Sequence, residues 1–145
     1  MIEVTHALSL TQPWATLVAI GAKRYETRSW QTSRRGWIAI HAAKGFPGWC
    51  QELCYQQPFA AHLAAAGYNS PKDLPRGDVI ALAQLGACIS TNQWTPDEGS
   101  AEYEFGDYSG DRFAWQFDDI RRLTDPFHAR GALGIWTLPQ GIRKL

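Results

Sequence analysis

This chain of 145 residues has no apolar run approaching the roughly 18 residues of a membrane span, and Met1 to His6 include neither a basic region nor an apolar stretch. Neither a transmembrane segment nor a signal peptide is therefore expected. Cysteine is scarce and odd in number: Cys50 and Cys54 fall in a predicted helix and Cys88 in a predicted strand. They read as reduced core thiols of a cytoplasmic protein. No CxxC or HxxxH spacing occurs, so neither a metal nor a cofactor is expected. Repeats and low-complexity segments are missing too. There is no excess charge of either sign, with 14 basic and 14 acidic residues. That balance argues against the broad positive field of a protein that grips long duplexes.

The charge that is present is unevenly placed. Residues 1–45 carry six bases (Lys23, Arg24, Arg28, Arg34, Arg35, Lys44) against two acids, whereas residues 97–119 carry eight acids against Arg112 alone. A local positive patch suits a short single strand or a nucleoside. The acidic stretch also reads as a solvated loop.

Residues 21–30, Gly-Ala-Lys-Arg-Tyr-Glu-Thr-Arg-Ser-Trp, concentrate the chemistry. Tyr25, Thr27 and Trp30 favour a strand. Alternation then places Glu26, Arg28 and Trp30 on one face and Tyr25 and Thr27 on the other. A carboxylate, a guanidinium and an indole on one face suit a polar pocket for a planar ligand. They also suit an exposed ion pair on an edge strand, which is worth little.

Before this segment, Ser9 or Thr11 is expected to cap a helix with Pro13 in its first turn and Trp14, Leu17 and Val18 as its inward stripe, closed by Gly21 in the left-handed region. Residues 37–42 read as an apolar strand ending at His41, with Lys44 beyond. Residues 46–57 read as a helix facing inward through Trp49, Cys50, Leu53 and Cys54, and 59–66 as a second helix. Residues 78–90 form a strand apolar on both faces, with Gly86 as a bulge. Residues 92–111 are a polar insertion of the kind that often carries function. Residues 112–123 alternate as a half-buried strand, and 132–138 close the fold. Of seven tryptophans, Trp37, Trp115, Trp136, Trp14 and Trp49 are expected in packing positions, with Trp30 on the polar face.

The runs LSLTQPWATLVAIGAKRYETRSW (8–30), RGWIAIHAAK (35–44), FGDYSGDRFAW (105–115) and ARGALGIW (129–136) resemble the ASCH domain family, a branch of the PUA-like superfamily, and most closely its activating-signal-cointegrator-like members. The family's glycine-x-lysine-x-x-(glutamate or threonine)-x-arginine pattern falls on Gly21, Lys23, Glu26 and Arg28. The resemblance implies an α+β fold, a small PUA-like β-barrel with flanking helices, as one domain over 1–145.

It also implies a module that binds RNA, single-stranded nucleic acid or a nucleoside. Arg28, Trp30, Gln12, Trp14, His41, Lys44, Arg112 and Tyr108 as a lid are the expected ligand-binding residues, with Arg34 and Arg35 on phosphate. Bases stack on aromatic faces while charged groups read their edges. A second implication is a hydrolase: some bacterial relatives resemble amidohydrolases that deacylate N4-acetylcytidine through a lysine, a threonine and a glutamate. Lys23 matches that lysine, but Glu26 stands at the nucleophile's position and alternation turns Thr27 to the other face. Glu26 would then act as a base on water beside Lys23, with Glu102 or Glu104 as the further acid. Other relatives are nucleases, and a protein-interaction domain in transcription regulation is the third reading, with a protein partner.

Overall fold

The structure is a computed structural model that describes residues 2–139 and the strand Arg143–Lys144. Its centre is a curled, half-open barrel. The strands are β1 (Glu3–Val4), β2 (His6–Leu10), β3 (Tyr25–Arg28), β4 (Gly36–Ala42), β5 (Asp78–Ser90), β6 (Phe113–His128), β7 (Ile135–Thr137) and β8 (Arg143–Lys144). Six of them form one mixed sheet in the order β3-β6-β5-β4-β2-β7, and β1 pairs with β8. The helices are α1 (Trp14–Ala19), α2 (Gly48–Leu53), α3 (Phe59–Ala65) and α4 (Ala101–Phe105), with a 3-10 turn at Pro71–Asp73. This is the expected α+β barrel with flanking helices. No helix among the described residues is long and apolar enough to cross a membrane.

The polar-apolar pattern explains the sheet. β5 lies between β4 and β6, and Val79, Ile80, Ala81, Leu82 and Ala83 are buried in succession, as a strand covered on both faces requires. Its observed bounds match the sequence reading. The register breaks between Leu85 and Cys88, and a Cβ at Gly86 would lie 2.1 Å from Asp118 Oδ2, so glycine accommodates the bulge. β6 continues past the expected end at 123, because Val79 pairs with Phe127 and Asp78 with His128. Pro126 lies in a register break, where its missing N–H costs no ladder bond.

β2 and β4 run parallel, with Ala7 beside Ala39 and Leu10 beside Ala42. The connection between them passes through α1 and β3. Leu8, Leu10, Val18, Ile38, Ile40, Leu85, Trp115 and Phe117 form the main core between α1 and the sheet. A second cluster joins Leu17 of α1 to Phe59 and Leu63 of α3 and Phe105 of α4.

Several local expectations are corrected. Neither Ser9 nor Thr11 caps α1; Pro13 occupies the N-cap position and the Gln12 side chain accepts from the Thr16 N–H at 3.0 Å. Gly21 does end the helix region at φ 81°. The helix expected over 46–57 is shortened to Gly48–Leu53, and Trp49 does not face inward: it is 65% exposed. Cys50 and Cys54 are buried and all three thiols are free. The insertion at 92–111 is not wholly irregular, since α4 forms within it, capped by Ser100 Oγ accepting from Tyr103 N–H. Five residues are too few for a periodic signal to appear in sequence.

Candidate functional site

An open cleft of about 1390 Å³ lies where the C-terminal ends of β2 and β4 meet β3, α1, α2 and the segment after β6. Among the described residues β3 is an edge strand that pairs only with β6, placing Glu26 opposite Trp115 and Arg28 opposite Phe113. Alternation therefore turns the Glu26 and Arg28 side chains to the cleft. Arg28 Nε and Nη2 each lie 2.9 Å from Glu26 Oε2, and Nη2 also donates to the Ser9 carbonyl at 3.1 Å. Both donors converge on one carboxylate oxygen, which leaves Oε1 on the side of Lys23.

Lys23 backs this pair. It is 1% exposed, donates to the Tyr25 carbonyl and forms an ion pair with Glu26 Oε1 at 3.7 Å. Burial pulls its ammonium below the ordinary lysine range, while Glu26 and Glu102 act in the opposite direction. The result is a cation–carboxylate–cation row reaching the cleft.

On the other face of β3, Tyr25 packs on Trp94 at 4.7 Å, and Thr27 Oγ1 accepts from the Asp107 N–H at 3.1 Å. Thr27 borders the cleft, but its hydroxyl is turned toward the 107 loop. His41 stands in the cleft wall with both ring nitrogens occupied. Nε2–H donates to the Ala129 carbonyl at 2.7 Å, and Nδ1 bonds at 2.9 Å to the Ser9 hydroxyl, which accepts from the Trp136 indole. Gly131 lies so close that a Cβ there would sit 2.8 Å from Ser9 Oγ and 2.9 Å from the His41 ring, so the backbone approach requires glycine.

Of the residues read from sequence, Trp14, Lys23, Glu26, Arg28, His41, Lys44 and the candidate acid Glu104 line one cleft. The others lie elsewhere. Gln12 is wholly buried, and its amide is consumed by Thr16 and the Pro75 carbonyl, because a buried amide must be satisfied locally. Trp30 sits edge-on to Trp115 at 4.7 Å, beside Gly134, just outside the lining. Tyr108 is buried rather than a lid, stacked on Tyr103 at 5.8 Å. Arg112 braces the Asp107 loop against β3, with Asp107 Oδ2 at 3.5 Å and the Thr27 carbonyl at 3.2 Å. Arg34 donates to His6 and Thr5, and Arg35 to the carbonyls of Thr32 and Arg34. Both sit at the N-terminal ends of β2 and β4, away from the cleft.

Sequence reasoning missed Trp49, His128, Arg130 and Asp107 as lining residues. Arg130 stood in a quoted sequence block, but nothing local indicated that its chain segment passes the cleft.

Glu102 lies behind Lys23. Its Oε1 accepts from the Arg24 N–H at 2.7 Å, whereas its Oε2, like the Tyr108 hydroxyl, is buried without a hydrogen-bond partner among the described residues. Burial pushes the Glu102 carboxyl above its ordinary 4.5, opposed by Arg24 N–H and Lys23. A carboxyl raised on folding contributes stability that is fully present below its unfolded pKa and is lost as pH rises through the folded value. Glu102→Gln keeps an acceptor for Arg24 but no charge. It is expected to be more stable than wild type at about pH 7, with the advantage gone near pH 4, in urea melts at both values. An equal difference at both pH values would show that the buried charge carries no penalty.

A family model for the ASCH domain matches residues 8–127. Over 139 residues, 94% of this chain, the sequence is 32% identical to human activating signal cointegrator 1 and 30% identical to the mouse protein of the same name. The match spans only 23% of each relative's length. The chain belongs to the ASCH domain family.

Proposed function

We propose that this ASCH domain recognises a nucleobase of RNA or another single-stranded nucleic acid, or of a nucleoside, in the cleft built on Lys23, Glu26 and Arg28. The observation that carries the reading is the Glu26–Arg28 pair at 2.9 Å, held at the cleft by a buried lysine. Its carboxylate accepts and its guanidinium donates, side by side. An edge with an amino group beside an acceptor nitrogen, as on cytosine or adenine, complements that pair. Arg28 Nη1 has no hydrogen bond among the described residues and is the donor left for a ligand. At about 1390 Å³ the cleft exceeds the ~300–1,000 Å³ of a small-molecule pocket, which favours a nucleotide segment over a free nucleoside.

A second reading is favoured by Lys23, whose ammonium is held low by burial against a carboxylate in an open cleft. In that reading Glu26 takes a proton from water, and the oxygen adds to the acyl carbon of an N4-acylcytidine with Lys23 facing the oxyanion. The C–N bond then breaks as the proton passes to N4, releasing cytidine and the carboxylic acid.

One titration series tests both readings. Wild type, Arg28→Ala and Glu26→Gln are titrated by calorimetry with the four nucleosides, with N4-acetylcytidine and with short oligonucleotides. Charged hydrogen bonds are worth about 1.5–3 kcal/mol, so each variant is expected to bind cytosine- or adenine-bearing ligands roughly 10- to 150-fold more weakly. Equal binding by all three proteins, or indifference to the base, would sink the base-reading cleft. Deacetylation that disappears in Glu26→Gln would support the hydrolase.

A further inference from the structure

The cleft has a second half, and it carries a different chemistry. Trp49, 65% exposed in α2, leans at 56° against the half-buried Trp14 with ring centroids 5.7 Å apart. Both rings line the cleft. An indole left this exposed gains little from folding, and its free face borders the ligand space.

Along the same cleft the backbone assembles a cationic rim from three distant parts of the chain. Gly77 N–H donates to the Ala42 carbonyl at 2.7 Å, and Ala129 N–H donates to the Gly77 carbonyl at 3.1 Å. The segments around 43, 76 and 129 therefore run side by side. They present Lys44, Arg76, His128 and Arg130, all exposed. Lys44, His128 and Arg130 line the cleft itself. Arg76 donates to the Lys44 carbonyl at 2.8 Å, and the acid facing this group is Asp78, 3.6 Å from His128. Arg34 and Arg35 lie at the opposite end of the parallel β2–β4 pair, roughly 20 Å away at ~3.3 Å per residue.

We propose that a single-stranded nucleic acid crosses the cleft from the Glu26–Arg28 pair to this rim, stacking the base next to the recognised one on Trp49 and placing its phosphates on Lys44 and Arg130. The inference rests on the base-reading cleft and extends it by a stacking step and a direction. Aromatic faces accept any base, and a cationic rim beside them follows the backbone, which is how sequence-tolerant single-strand binders are built.

The test uses fluorescence anisotropy with labelled eight-nucleotide RNA and DNA strands across a salt series, alongside calorimetry with a mononucleoside. The proteins are wild type, Trp49→Ala, Trp49→Phe, Lys44→Ala/Arg130→Ala and Arg34→Ala/Arg35→Ala, each checked for an unchanged melt. Trp49→Ala is expected to weaken strand binding roughly 10- to 100-fold while leaving mononucleoside binding intact, with Trp49→Phe recovering most of the loss. Lys44→Ala/Arg130→Ala is expected to flatten the slope of log affinity against log salt by about 1.4, at ~0.7 per phosphate contact. The Arg34→Ala/Arg35→Ala pair is expected to match wild type. Preference for the RNA or the DNA strand identifies the source, and binding of either supports the track. Wild-type strand affinity in both Trp49→Ala and Lys44→Ala/Arg130→Ala overturns the track, and if Arg28→Ala still loses the mononucleoside, the base-reading cleft stands without it. A slope flattened only by Arg34→Ala/Arg35→Ala moves the phosphates to the opposite end and also overturns it. Failure of wild type to bind either a strand or a nucleoside overturns both.

Discussion

Lys23→Met is expected to fold within about 1 kcal/mol of wild type, whereas Lys23→Ala is expected to lose about 3 kcal/mol. Lys23 is 1% exposed, and burial opposes its charge. Exchanging a buried charge for an apolar side chain of similar volume is often neutral or stabilising, because the desolvation cost disappears with the attraction. Glu26 is not left alone, since Arg28 still holds it at 2.9 Å. The remaining loss is the donor to the Tyr25 carbonyl. Alanine removes the charge and the volume together, and the cavity adds its own cost. Function is expected to follow the charge and not the volume. Both variants are expected to bind the base-bearing ligand at least 10-fold more weakly, because the Glu26 carboxylate loses the cation that orients it from behind. Urea midpoints beside calorimetric titrations read the two effects separately. A Lys23→Met protein as unstable as Lys23→Ala would show that the ammonium is a net stabiliser. Full binding by Lys23→Met would remove Lys23 from the site.

Trp115→Ala is expected to cost about 4 kcal/mol, close to the limit that a domain with 5–15 kcal/mol of stability tolerates. Trp115 is fully buried at the centre of the main core, pairs across the sheet with Glu26 and Cys88, and donates its indole N–H to the Trp30 carbonyl at 3.2 Å. It also meets the Trp30 ring edge-on at 82°. Truncation opens a large cavity, orphans a carbonyl and removes the packing that holds the end of β3. Trp115→Phe retains most of the apolar volume and is expected to lose about half as much. Denaturant midpoints and the near-ultraviolet dichroism of the Trp30–Trp115 pair measure both. A loss under about 1 kcal/mol in Trp115→Ala would mean that the sheet closes over the gap and that β3 is held by other contacts.

Much of the barrel was legible because strand patterns are local. The apolar run over both faces of 78–90 marked β5 to its ends, and Gly86 marked its bulge. Period-two alternation over 25–28 placed Glu26 and Arg28 together without reference to any partner strand. Alternation tells which side chains share a face, but not what covers that face. Hence Trp49, apolar and at helical spacing, read as core, yet lines the cleft and stays 65% exposed, because α2 is short and the ring leans on Trp14 without being covered by it. Gln12 read as a ligand contact, yet is consumed by Thr16 and by a carbonyl 63 positions away.

The sequence by itself determined the family, through four ordered blocks, and the composition of the Lys23–Glu26–Arg28 row, through spacing on one strand. Lys44 was also legible as a ligand contact, but only the tertiary structure decided which other charges stand beside it. The backbone bonds linking Gly77 to Ala42 and Ala129 draw Lys44, Arg76, His128 and Arg130 into one rim, and the parallel β2–β4 pair carries Arg34 and Arg35 to the far end. Long-range pairing sets those distances, and its register depends on every strand in the sheet at once.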